Sequence, residues 1–285
     1  MFKRTLRLSK LLKNQINFKT TLSNQKQAKF PIAGVKNVIL VSSSKGGVGK
    51  SMVSVNLAYS IKAINEKIQV GILDADVFGP SLPTMVGLAG KKPAFNKQNL
   101  ILPLVNYGVK CMSMGFLVDE ENPIVWRGLM VMSAINRLLR NISWGELDLL
   151  VIDMPPGTGD TQLSIIQSIP IDGVVIVATP QKICLIDAIR GANMFRKMNV
   201  PIIGCISNMN HFVCHNCSQR QYLFDSDKLK LEEKLDLPIL AEIPFDKDIL
   251  KCSDDGCPII IKSSNHPVSI LFKELSEKVI AKLKF

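Results

Sequence analysis

The chain has 285 residues, 47% of them hydrophobic, with 35 basic against 24 acidic side chains, a net charge of +11 and seven cysteines. That apolar content, with a mean hydropathy of +0.20, excludes a largely disordered chain, and the length suffices for one substantial core. No window approaches eighteen uninterrupted apolar residues, as a membrane-crossing helix would need, and an odd number of scattered cysteines is not a secreted disulfide framework.

The charge is unevenly placed. Residues 1–30 carry eight basic side chains (Lys3, Arg4, Arg7, Lys10, Lys13, Lys19, Lys26, Lys29) and no acid; the first acidic residue is Glu66. Phe2, Leu6, Leu8, Leu11 and Leu12 interleave with these bases, and Ser9, Thr20, Thr21 and Ser23 add hydroxyls. Basic, hydroxylated, acid-free and amphipathic describes a mitochondrial presequence, which places the mature protein in the mitochondrial matrix. Without it the body holds 27 basic against 24 acidic residues, too little excess for a nucleic-acid footprint.

From Pro31 onward, short β-branched runs alternate with helix-length stretches. Strands are expected at Val38–Ser42, Ile68–Leu73, Leu149–Asp153, Gly173–Ala178, Pro201–Ile206 and Ile239–Ile243. Helices are expected at Ser51–Asn65, Leu129–Leu139, Thr161–Ser168, Ile183–Met198 and Ser269–Leu283. Several strands are continuously apolar, as strands buried on both faces are. The order predicts an α/β fold, a doubly wound, mostly parallel sheet flanked by helices, as one domain over 31–285. Leu100–Met114 reads as an antiparallel excursion around Asn106-Tyr107-Gly108.

After the first strand comes Ser44-Lys45-Gly46-Gly47-Val48-Gly49-Lys50-Ser51 and then a helix. Glycines let successive N–H groups converge on phosphate oxygens, and the helix adds its positive end. Lys50 suits the β and γ phosphates, and the Ser51 hydroxyl suits Mg²⁺. Two residues depart from the usual pattern: Ser44 replaces an opening glycine, and Met52 lacks the hydroxyl often found after the Mg²⁺ ligand. Asp74 and Asp76 follow the second strand, where open α/β sheets assemble their sites. Leu149-Leu150-Val151-Ile152-Asp153 is an apolar strand ending in an acid, the Walker B form. Asp153 is expected to hold Mg²⁺ through water, and the Gly157 N–H in Pro155–Asp160 to face the γ phosphate. Together these predict binding of ATP with Mg²⁺.

A late loop, spanning 208–225, carries Cys214-His215-Asn216-Cys217. This spacing lets two thiolates share one metal or cluster, but supplies only half of a four-ligand set. Cys252 and Cys257, His211 or His215, or an identical pair from a second subunit could complete it; a redox-active pair is a further reading. Cys111, Cys184 and Cys205 sit among apolar neighbours, as core cysteines do.

Lys-Gly-Gly-Val-Gly-Lys-Ser at 45–51 resembles the deviant Walker A ATPases, the group of MinD, ParA and the nitrogenase iron protein. The resemblance implies that Lys45 reaches across a homodimer interface to the partner's nucleotide, that Asp76 orients the attacking water, and that Asp74 supports the magnesium. It narrows with Pro31–Lys36, Asp74–Ser81, Trp126-Arg127-Gly128, Trp144–Asp148, Asp153–Asp160, Asn208-Met209, Cys214 with Cys217, and Ser253–Pro258. In that order these resemble the Mrp/ApbC/NBP type of P-loop ATPases, carriers and scaffolds for iron–sulfur clusters, across 31–285. A presequence, with no cysteine before Cys111, resembles the mitochondrial branch, whose role is assembly of respiratory complex I. The family implies a [4Fe–4S] cluster bridging two subunits through Cys214 and Cys217, slow ATP hydrolysis, and recipient apoproteins as partners. It further implies that Asn208 reads the adenine edge and that Ile243-Pro244 walls the base. Two competing readings are a positioning ATPase held on membranes by the basic run Val268–Phe285, and a dimer pinned by structural zinc.

Overall fold

Each strong apolar run becomes a strand, and each strand delivers its carboxyl end to one face. In chain order, β1 (Val35–Ser42) passes through residues 43–49 into α1 (Lys50–Ile64), β2 (Val70–Asp74) and the short α2 (Leu82–Met85). A hairpin of β3 (Leu104–Asn106) and β4 (Val109–Ser113) is followed by α3 (Gly128–Arg140), β5 (Leu147–Asp153) and α4 (Asp160–Ser168). Then come β6 (Gly173–Ala178), α5 (Lys182–Lys197) and β7 (Ile202–Asn208). A separate hairpin, β8 (His211–Val213) with β9 (Arg220–Tyr222), precedes α6 (Lys228–Leu235) and β10 (Ile239–Ile243). The chain closes with α7 (Lys247–Asp254), α8 (Ile259–Lys262) and α9 (Pro267–Ile280). This computed structural model describes residues 28–118, 128–214, 216–224 and 228–283; the expected presequence through residue 27, Trp126, Arg127 and His215 lie outside them.

The described strands form an eight-stranded sheet in the order β10-β7-β6-β1-β5-β2-β4-β3, parallel throughout except for β3, which pairs antiparallel with β4. The doubly wound architecture is therefore as expected. β1 lies between β5 and β6, so the chain leaves on one side of β1 and returns on the other. That reversal opens the crevice in which such sheets bind ligands. The β3–β4 turn is tight because Tyr107 and Gly108 both take positive φ (45° and 78°), the geometry that matches strand twist in a two-residue loop. The β8–β9 hairpin was not foreseen: its strands are three residues long, and Arg220-Gln221-Tyr222 is exposed, without apolar alternation.

β2 and β6 are buried at every position, and β5 at all but Asp148. α1 is buried on nearly all sides because it lies between the sheet and α9. α9 turns Val268, Phe272, Leu275 and Val279 inward, each at most 2% exposed. Its Lys278 donates to the Leu240 carbonyl (2.8 Å) and Lys273 to the Ser264 carbonyl (3.0 Å). Among the described residues, the apolar face of α9 thus packs inward over the fold. At the other end, the Phe30 N–H donates to the Ser168 carbonyl, and Arg140 donates to the Phe30 carbonyl while lying over its ring.

Phe272→Ala, which empties the α1–α9 contact, is expected to lower stability by about 3–5 kcal/mol, read as a shift in the urea midpoint at unchanged m-value.

Candidate nucleotide and metal-cluster site

The loop after β1 is built around two close approaches. Gly49 takes φ 81°, and a Cβ there would collide with the Asn208 amide, so only glycine lets β7 come this near. Ser44, the departure at the loop's opening, faces Gly191 on α5, where a Cβ would strike the Ser44 Oγ. The small residue has moved from the loop to the helix opposite. Val48 is buried, while Lys45, Gly46 and Gly47 are exposed, so Lys45 is free to reach outward.

Lys50 begins α1 and is buried, and its Nζ donates to Asp153 Oδ1 at 2.6 Å and approaches Ser51 Oγ at 3.3 Å. Ser54, one turn along α1, donates to the same Asp153 oxygen at 2.8 Å. Asp74 stands beside Asp153 in the β2–β5 register. Asp74 accepts from Ser113 Oγ (3.1 Å) and from the N–H groups of Asp76 (3.0 Å) and Leu82 (3.3 Å). Burial first, then the charge of Asp153, push the Asp74 carboxyl up to about 7, against the pull of Lys50. Asp76 is half-buried at the mouth of the same crevice, its Oδ1 3.4 Å from the Gly79 N–H. Lys50, Ser51, Asp74 and Asp153 thus come together, a hydroxyl and two carboxylates around one ammonium. This donor set fits a hydrated Mg²⁺ and phosphates, which would take over the charges that Lys50 and Asp153 now balance between them. Ser54 and Ser113 escaped the sequence reading. Ser54 lies four residues after Lys50 on one helix face, a signal that was there; Ser113 meets Asp74 only through the β2–β4 register.

Asn208, at the end of β7, is buried and donates its amide to the Val48 carbonyl at 2.8 Å. Its Oδ1 is buried with no hydrogen-bond partner, an acceptor suited to an exocyclic amine such as that of adenine. The expected role of Gly157 meets an obstacle: its N–H donates to the Ser43 carbonyl at 2.9 Å and would have to leave that bond to reach a phosphate. Pro244 follows β10, whose last residue Ile243 pairs with Asn208, and lines two adjoining cavities beside the β8–β9 hairpin.

Cys214 and Cys217 form the tip of the β8–β9 hairpin, half-buried and exposed respectively. The Cys214 N–H donates to the Gln219 carbonyl (3.0 Å), and the Ser218 N–H to the Cys214 carbonyl (2.8 Å). The N–H groups of Cys217 and then Asn216 aim at the Cys214 sulfur and hold its thiol below the ordinary range. Burial does the opposite elsewhere, pushing Cys111 and Cys205 up to about 12 and raising Cys252. Among the described residues, no third cysteine, histidine or carboxylate joins Cys214 and Cys217 in one ligand group, so Cys252, Cys257 and His211 do not complete the pair. His211 is buried against Tyr222, with Nδ1 unpartnered and its pKa lowered by burial and by Arg220.

Another ligand-like cluster, Asp246, Asp248 and His266, is built for a different task. Asp246 caps α7 by accepting from the Asp248 and Ile249 N–H groups, and His266 Nδ1 caps α9 by accepting from the Val268 N–H. An acceptor at Nδ1 leaves the proton of neutral imidazole on Nε2, facing the carboxylates. The trio is a pair of helix caps.

The family model of NUBPL iron-transfer P-loop NTPases matches residues 34–280. The chain belongs to that family. It is 51% identical over 255 residues to the iron-sulfur cluster transfer protein NUBPL of Mus musculus, covering 89% of this chain and 80% of that one. It is 44% identical over 268 residues to the Arabidopsis thaliana iron-sulfur protein required for NADH dehydrogenase, mitochondrial, covering 94% and 85%. Among solved structures, a nucleotide-binding protein of Archaeoglobus fulgidus in complex with ADP superposes with a TM-score of 0.68 at 38% identity, covering 79% of this chain and 88% of that one.

Two expected outcomes follow from the titrations. From about pH 4 to about 7 the folded state holds a proton on Asp74 that the unfolded chain has released, so stability falls as pH rises through that window. Asp74→Asn in Mg²⁺-free buffer should remove a loss on the order of 1–2 kcal/mol between pH 5 and 7, seen in paired urea titrations. Iodoacetamide at pH 7 should label Cys214 at least roughly tenfold faster than Cys111 or Cys205, as read by peptide mass mapping.

Proposed function

We propose that the chain is an ATP-dependent carrier of a [4Fe–4S] cluster, held between two copies and delivered to mitochondrial apoproteins, among them subunits of respiratory complex I. The observation that carries this reading is the Cys214–Cys217 turn, two accessible thiols at the tip of an outlying hairpin. One chain brings two thiolates to a cluster that takes four, so two copies meeting at a two-fold axis supply the set. The names of the mouse and Arabidopsis relatives support the cargo and the complex I recipients. Together with the amphipathic basic leader, the Arabidopsis name supports the mitochondrial matrix.

The hairpin's base connects it to the nucleotide crevice. Asn208, whose free Oδ1 suits adenine, is two residues from Asn210, and the Asn210 N–H donates to the Ile243 carbonyl (3.1 Å). The Phe245 N–H donates to the His211 carbonyl (2.7 Å), so both edges of the expected base pocket hold the hairpin's root. Nucleotide settling between Asn208 and Pro244 would bias the angle at which the two hairpins meet, coupling ATP to cluster loading.

For hydrolysis, Lys50 neutralises the β and γ phosphates, and Ser51 and Asp153, supported by Asp74, hold Mg²⁺. Asp76 orients water toward the γ phosphorus, and Lys45 crosses to the partner's nucleotide. The half-buried position of Asp76 and the exposure of Lys45 support these roles. Bound Mg²⁺ supplies charge neutralisation at the phosphates. A rim of exposed apolar side chains supports pairing through this face: Phe78 (65%), Leu129 (88%) and Ile183 (59%) all follow strand carboxyl ends or begin helices there.

Anaerobic reconstitution with iron and sulfide, read by absorbance, Mössbauer spectroscopy and mass in solution, tests the reading. Wild type should form a cluster-bearing dimer, Cys214→Ala should lose both cluster and dimer, and Lys45→Ala should lose only the nucleotide response. Unchanged cluster content in Cys214→Ala would sink it, and zinc in place of iron in anaerobically purified protein would favour a structural pin.

A further inference from the structure

The Cys214 side of the hairpin faces a cavity of about 690 Å³ between the hairpin and the N-terminal ends of α7 and α9. Phe212, Val213 and Phe245 give it mostly apolar walls, and Asp246, Lys247 and Asp248 close one end. Phe245 and Val213 stand 49% and 43% exposed at its lip, large apolar surfaces that the fold leaves uncovered. Cys217, the more exposed thiol, is not part of this lining, so the two sulfurs of the pair face different surroundings.

Resting on the cluster-carrier reading above, we propose that this cavity seats the recipient protein: an apolar segment bearing a cysteine and, beside it, a basic residue. Handover of a cluster is ligand exchange. The recipient thiol gives up its proton as its sulfur bonds iron, the bond from iron to Cys214 breaks, and the Cys214 thiolate takes a proton; no electron is gained or lost. The incoming sulfur must reach the iron that Cys214 holds, so its segment must be seated where Cys214 forms a wall. A volume of this size accepts a few side chains and buries them, which fixes the sulfur in place. The closed end carries two carboxylates against one ammonium, with the His266 imidazole 4.0 Å from Asp246 and 3.7 Å from Asp248; while that imidazole is neutral, the excess charge is negative and favours a basic neighbour.

The test uses the loaded full-length chain, wild type and Phe245→Ser, with Leu250→Ser as an exposed control outside the cavity. Three quantities are read: cluster content, the rate of iron extraction by a small chelator, and the rate of transfer to a [4Fe–4S] apo-ferredoxin. Phe245→Ser should match wild type in content and chelator extraction yet transfer to apo-ferredoxin roughly tenfold more slowly, with Leu250→Ser unaffected. Replacing the ferredoxin's residue beside its entering cysteine with glutamate should slow transfer from wild type as well. Transfer by Phe245→Ser within about twofold of wild type overturns the proposal, and so does a parallel loss of dimer, which would make the cavity a subunit contact. Failure of wild type to take up any cluster would instead bring down the carrier reading and this one with it.

Discussion

The contact between Lys50 and Asp153 organises the molecule. It joins the loop after β1 to the end of β5, two neighbouring central strands, and it places opposite charges in a buried pocket shared with Asp74, Ser54 and Ser113. Neither charge would be tolerated there alone, since an isolated buried ion costs several kcal/mol. The partnership therefore fixes the start of α1 against the sheet. Ser54 adds a second donor to the same carboxylate oxygen, so Asp153 would keep a partner if Lys50 turned to a phosphate. Everything placed around the crevice, from the Asp74 carboxyl to the Asn208 amide, is measured from this point.

The departures at the phosphate loop show how a pattern can be kept in space while it is lost in sequence. A serine at 44 fills room that glycine usually leaves, and α5 answers with Gly191 at the point of contact. Met52 carries no hydroxyl, and Ser54, one turn after Lys50, is the hydroxyl that donates to the Walker B acid.

Much of this was legible in the linear sequence. Gly173–Ala178 and Ile239–Ile243 appear as strands with the expected ends, because continuous apolar runs between turn residues have few other solutions in an α/β chain. Asp74 and Asp153 are readable because each ends such a run, and Lys50 because it closes the glycine-rich loop ahead of a helix. Less could be seen where contacts depend on register or on short irregular pieces. Ser113 needs the β2–β4 pairing to be recognised, and the Gly157 N–H bends back to Ser43 in a way no spacing announces. The β8–β9 hairpin is too short and too polar to leave a periodic trace. The pairing of Asp246 with His266 joins two helix starts 20 residues apart.

The cysteine-bearing hairpin forms a two-stranded sheet of its own, tied to the eight-stranded one near its root by the Asn210 N–H on the Ile243 carbonyl and the Phe245 N–H on the His211 carbonyl. In a small zinc domain the metal is the core, and emptying the site unfolds the chain. Here the sulfur pair sits at the tip of a hairpin beyond the main sheet, so a chain that held a cluster there and one that did not would share one architecture. Such a molecule can wait unladen, intact and ready, for as many rounds of loading and release as its supply of iron permits.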